Sequence, residues 1–305
     1  MQLDAVTKMT KGIKAAVTTL NPHEVRFLVG QYYAIQEYRK SSNNQVRALD
    51  QAHQPKEVLN WLAGNMDMLE NQIKGALAVY SKSTIIGKWA ESICGIGPVI
   101  SAGLQAHIDI EKAPTVGHIW SFAGLDPNMK WEKGQKRPYN ADLKMLCWKI
   151  GESFVKVSGN VNDIYGQVWL QRKELEWSRN KVGAFALQAR EQLEKKNFKK
   201  DSDAKLWMAG CISSEALLVY EMTPSENRLG IVKKLAGAPG TGIEMLCPAH
   251  IHARAKRYAV KLFLSHFHHV LYESIKGQAP PKPYILTRPE HVHYLAPPNW
   301  PLAVQ

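Results

Sequence analysis

Ala90-Glu-Ser-Ile-Cys-Gly-Ile-Gly-Pro-Val-Ile-Ser-Ala-Gly-Leu-Gln-Ala-His107 sets Gly95-Ile96-Gly97 between two short apolar stretches with helical spacing. This reads as a helix-hairpin-helix. Two glycines suit the turn because it needs positive φ and because the backbone must approach a phosphate with no Cβ in the way. Ile96 is expected to anchor the turn in a core, and Pro98 stands at a first helical position, where a missing N–H costs nothing. Amides at the start of the second helix, reinforced by its dipole, can hold a phosphate oxygen without reading sequence. Ile93 before the turn and Val99, Ile100, Ala102 and Leu104 after it supply the apolar flanks, which continue to Ile108.

Upstream the chain reads as helix. Asn21-Pro22-His23-Glu24 supplies an N-cap, a proline at the first helical position and a glutamate at the third. Val25, Leu28, Val29, Tyr32 and Ile35 then recur at helical spacing. A second helix begins near Pro55, with Leu59, Leu62, Met66, Leu69, Ile73 and Leu77 on one seam, so the pair predicts a long antiparallel hairpin serving core or dimer formation. Downstream, Tyr165 to Lys200 is again helical, with a break near Val182-Gly183 and a lysine cluster at its end. Ala236–Gly242 is a glycine-rich loop, and Gly277–Pro283 and Ala296–Pro301 are extended, proline-stiffened segments. Strand signal is slight. The expected fold is mainly α, with an N-terminal helical hairpin (1–88), a central helix-hairpin-helix domain (89–160), a helical segment (161–235), and a basic histidine-rich helix with an extended proline-rich tail (236–305).

The 305 residues are 45% apolar and 22% charged, which excludes disordered, collagen-like and mini-protein classes. A formal net charge of +12 invites a polyanionic partner. Residues 91–160 carry eight basic and seven acidic side chains, so the surplus comes from the flanks and from no single tail. The four cysteines, Cys94, Cys147, Cys211 and Cys247, form no CxxC pair and argue against a disulfide framework. The N-terminus has no signal-peptide core and no stretch approaches a membrane span, so a cytoplasmic location is expected.

Two further basic features accompany the hairpin. Asn128 to Tyr139 interleaves Lys130, Lys133, Lys136 and Arg137 with Trp131 and Tyr139, a pattern suited to phosphate contact and base stacking; a solvated loop with aromatics turned inward fits equally. Arg254, Arg257 and Lys261 fall on one face of a helix running from Ala253 to Ile275, a stripe that can track a phosphate backbone. Cys247, His250, His252, His266, His268 and His269 are ligand types for zinc, but their spacing matches no standard finger; no cofactor is assigned, with zinc or another divalent metal as the alternative.

Gly95-Ile-Gly-Pro-Val-Ile-Ser-Ala-Gly-Leu104, followed by Phe122-Ala-Gly-Leu-Asp-Pro127, resembles the C-terminal transposase domain of the insertion-sequence one-ten group, the bridge-RNA-guided recombinases. The resemblance covers roughly residues 88–160, and the segment His250 to Leu264 is similar to transposase-like proteins of phages and mobile elements. It implies DNA as partner, with structured RNA as a co-ligand. Members of the group carry a strand-rich N-terminal domain with metal-binding acids, whereas here that region reads as helical and Asp4, Asp50 and Asp67 are scattered. In the family the turn leads to a serine–glycine pair whose serine attacks DNA. Lys133-Gly134 stands in that place here, and Ser121 lies before the turn. What carries over, at Gly95, Gly97 and Pro98, is binding, and no catalytic residue is assigned. Two other readings stay open: an active recombinase or nuclease with another nucleophile, for which Tyr139 beside Lys136 and Arg137 is one option, and a structural protein that forms homo-oligomers through its N-terminal helices.

Overall fold

The computed structural model describes residues 8–199, 202–228, 230–281 and 295–302, and contains thirteen α-helices and no strand among them. The mainly α expectation holds. Asp4, Lys200 and residues 282–294 of the tail lie outside the described residues. No helix among the described residues is long and apolar enough to cross a membrane.

Contacts divide the chain into two compact units, one of Met1–Val157, Val161–Asp163 and Val260–Gln305, the other of Ser158–Asn160 and Ile164–Ala259. Composition alone separated residues 1–88 from 89–160, but packing joins them.

In the first unit α1 (Lys11–Ala16) precedes the long α2 (Pro22–Gln51) and α3 (Glu57–Lys82), which pair as the antiparallel hairpin. The Asn21 side chain accepts from the His23 and Glu24 amides while Glu24 accepts from the Asn21 N–H, a complete capping box. Of the seam expected on α3, only Ile73 and Leu77 are fully buried; Leu59, Leu62, Met66 and Leu69 are half-buried, because the third packing layer reaches only the near end of the hairpin. There Val25, Val29, Tyr32, Ile73 and Leu77 meet Val99, Ala102 and Ala106 of α5 (Pro98–His107) in one apolar cluster, reached after α4 (Ile85–Ser92). Between α2 and α3 the buried Glu70 carboxylate takes the Arg39 guanidinium at 2.6 Å and the Gln36 amide at 2.9 Å, so the charge enters the core already paired. After α6 (Val116–Phe122) and α7 (Ala141–Val157), the unit is completed by the second part of α13 (Pro248–Lys276). Phe263 and Phe267 of α13 pack with Trp89 of α4 and Phe154 of α7, Trp89 lying nearly parallel to Phe263 at 5.9 Å between centroids.

The second unit holds α8 (Tyr165–Lys181), α9 (Ala186–Lys195), α10 (Asp203–Met208), α11 (Ser214–Met222), α12 (Ile231–Leu235) and the first turns of α13. The break expected near Val182-Gly183 separates α8 from α9, with Gly183 at φ +81°. Trp177, Trp207 and Tyr220 form an edge-to-face aromatic group. Asn180, fully buried, donates to the Leu246 carbonyl and accepts from the Leu246 N–H, matching both halves of its amide with backbone.

Candidate nucleic-acid interface

The turn between α4 and α5 is built from three residues with different tasks. Gly95 has φ +91°, its carbonyl accepts from the Ser153 hydroxyl of α7, and a Cβ there would stand 3.2 Å from both Ser153 Oγ and Val157 Cγ2. Ile96 is buried and pins the turn. Gly97 is different: its backbone is extended at φ −96° and ψ 174°, and a Cβ would meet nothing within 4 Å. Positive φ therefore explains Gly95 alone, which corrects the expectation for both glycines; Gly97 leaves space open above the helix start. As N-cap of α5 it offers no side chain to the first-turn amides, and Pro98 has no N–H. The Val99 and Ile100 amides are consequently first-turn donors with no cap, since helix geometry gives them no internal acceptor. Their partial positive charge is the electrostatic feature of this surface.

Phe122-Ala-Gly-Leu-Asp-Pro127 closes α6 as a helix-ending turn. Gly124 is at φ +64°, the Leu125 N–H reaches back to the Trp120 carbonyl at 2.8 Å, and a Cβ on Gly124 would press into the Tyr139 ring at 2.9 Å. Tyr139 is thereby fixed against the turn, with the Lys144 ammonium 3.9 Å over its ring. Ser121 donates to Asp126 at 3.2 Å. Residues 130–138 are exposed throughout, so Lys130, Lys133, Lys136 and Arg137 project from one loop whose Trp131 donates to the Gln135 carbonyl and is 40% exposed.

The stripe on α13 is not uniform. Arg254 bonds Glu176 and Gln188 at 3.1 Å each and lies over the Phe185 ring, whereas Arg257 is exposed. Both belong to the second unit, and Lys261 belongs to the first, where its ammonium lies 4.1 Å over Trp120 and its carbonyl accepts from the Trp120 N–H. Glu176 is only 1% exposed and also faces Arg172 and Arg179, so Arg254 serves to neutralise a buried carboxylate. Four of these histidines are likewise occupied within the fold. His266 and His268 are buried with Nε2 against the Leu295 and Ala113 carbonyls, His252 packs edge-on to Trp169, and His269 pairs with Glu273. Among the described residues no three histidine, cysteine or acidic side chains gather as a metal would require.

Two features of this unit escaped the sequence reading. Lys156 is exposed in the last turn of α7, between the two residues that touch Gly95, where a lysine at a helix C-terminus gave no reason to connect it with residue 95. Residues 295–302 strap the unit: Trp89 donates to the Pro298 carbonyl at 2.7 Å, Asn299 to the Ser92 carbonyl at 3.1 Å and Trp300 to Glu273 at 2.9 Å. Comparison with protein-family models, with curated proteins and with solved structures returns no match for this chain.

Proposed function

We propose that this chain binds DNA through its phosphate backbone at the α4–α5 hairpin, with Lys130, Lys133, Lys136, Arg137 and Lys156 as flanking cations and Arg257 and Lys261 as distant attraction. The observation that carries this reading is the asymmetry of the turn, in which Gly95 and Ile96 are held from behind while the uncapped first turn of α5 opens past Gly97. Neutral amides make the close contact, which accounts for the best motif lying in the segment with almost no charge surplus. The function is binding without strand transfer, because Lys133-Gly134 occupies the place of the serine–glycine pair in the family it resembles.

The test is anisotropy of a labelled duplex across roughly 50 to 200 mM salt with wild type and Gly97→Asp. The expected result is an affinity that falls steeply with salt and drops at least tenfold in the variant, whose carboxylate caps the amides that a phosphate needs. Affinity indifferent to both would overturn the reading. Nicking of supercoiled DNA in the presence of magnesium would overturn its non-catalytic half.

A further inference from the structure

Within the first unit, the start of α2, the end of α5, residues 108–113, α6 and the segment to Asn128 surround an open groove of about 1290 Å³. Sites for nucleotide-sized ligands occupy roughly 300–1000 Å³, so the space is ample. Its lining includes His107, only 8% exposed, whose Nδ1 is closed off from the groove and finds no hydrogen-bond partner among the described residues.

The charges of the lining are unevenly matched. Asp109 already pairs with Lys112 and accepts the Glu111 N–H, Glu111 pairs with Lys276, and Asp126 accepts from the Ser121 hydroxyl and the Asn128 N–H. Arg26 touches only the ring of His23, at 2.9 Å, and neither it nor Lys261 has a carboxylate within ion-pair distance among the described residues. Asp142, the acid whose charge acts on His107, is outside the lining. Phe122, 41% exposed, adds an uncovered ring to the same wall. Arg26 without a counter-ion, Lys261 answered only beyond ion-pair distance by the Asp126 charge, and an open aromatic face together describe an anion with a flat body.

We infer that this groove binds a nucleoside monophosphate unit, its phosphate taken by Arg26 and its base stacked on Phe122. Gly97 is not part of the lining, so the site is distinct from the hairpin. The unit has two sources, a free mononucleotide or the phosphorylated end of a single DNA strand.

Calorimetric titration of the full chain with deoxyadenosine monophosphate, deoxyadenosine, inorganic phosphate and a 5′-phosphorylated single-stranded oligonucleotide tests it. Saturable binding of the monophosphate, of the oligonucleotide or of both is expected, weakened at least tenfold on removing the phosphate and at least tenfold by Arg26→Gln. Phe122→Ala is expected to weaken the monophosphate and leave inorganic phosphate as it was. Arg26-dependent binding of the oligonucleotide alone identifies a strand end as the ligand, and of both, a free nucleotide as well. Binding of neither up to millimolar concentration, or binding equal in wild type and Arg26→Gln, would overturn the inference. The Gly97→Asp protein titrated with the monophosphate separates a failure here from a failure of the hairpin reading.

Discussion

The chain contains two Gly-Xaa-Gly turns of the same local composition and opposite fate. In Gly240-Thr241-Gly242 of the second unit the amides are consumed: Gly240 donates to the Ala209 carbonyl at 3.1 Å and Gly242 to the Gly210 carbonyl at 2.8 Å, while upstream Gly237 donates to Cys211. A Cβ on Gly242 would lie 1.8 Å from the Ile212 carbonyl oxygen, so glycine is there to let two backbones meet. In Gly95-Ile96-Gly97 the first glycine is pinned and the second faces open space. A glycine pair therefore says that backbone comes close to something, and only the destination of its N–H groups says whether that something is the protein itself or a ligand. Buried polar side chains repeat the contrast, since both halves of the Asn180 amide are matched by Leu246 and His107 Nδ1 finds no partner among the described residues.

The sharpest way to break this comparison is to add a methyl group to each turn. Gly242→Ala is expected to cost at least about 3 kcal/mol, because the clash is with backbone that cannot rotate away. Chemical denaturation measures it, and a loss below about 1 kcal/mol would mean that the two turns are alike after all.

Acid gives the next effect. Burial, aided by the Arg26 charge and opposed by Asp142, pushes His107 down from 6.5 to about 4. Between those values the unfolded chain binds the proton and the folded one does not, so stability is complete above about pH 6.5 and is lost as pH falls toward 4. This group alone accounts for up to about 3 kcal/mol at roughly 1.4 kcal/mol per unit. His266, pushed to about 4 chiefly by burial against the opposing pull of its bond to the Leu295 carbonyl, adds in the same direction. Melting curves of wild type and His107→Leu from pH 7 to 4 are expected to show a shallower decline in the variant; parallel curves would remove His107 as a source.

Gly95→Ala comes third, at about 1–2 kcal/mol, from the left-handed backbone and the crowding by Ser153 and Val157. Gly97→Asp is smallest in stability, a gain of a few tenths of a kcal/mol by capping α5, and is paired with the largest loss of DNA affinity. Equal destabilisation by Gly95→Ala and Gly97→Ala would erase the asymmetry on which the proposed function stands.

Much of the architecture was legible because its causes are local. The capping box at Asn21, the proline at the start of α5, the break at Gly183 and the burial of Ile96 all follow from residues within a few positions of each other. The candidate site was legible in part: Gly95, Gly97 and the exposed 130–138 loop stand out in the chain, whereas Arg254 reads as a free phosphate contact and is engaged by Glu176, 78 residues away. The six zinc-type residues fail to converge for the same reason. Periodicity places a histidine on a helix face but does not say that Leu295 or Ala113 waits with a carbonyl.

The sequence by itself determined that the chain is mainly helical, where α2 and α5 begin, and that the backbone bends at Gly95 and Gly183, since these depend on φ preferences, caps and spacing within one or two turns. Only the tertiary structure decided which of those features are used up inside the molecule. It brought Ser153 to Gly95, Ile212 to Gly242 and Glu176 to Arg254, pairings between segments whose hydrogen-bond and charge balance no local pattern encodes. Folding closes a turn or leaves it open according to what long-range packing delivers to its amides, and that delivery separates the two glycine pairs of this protein.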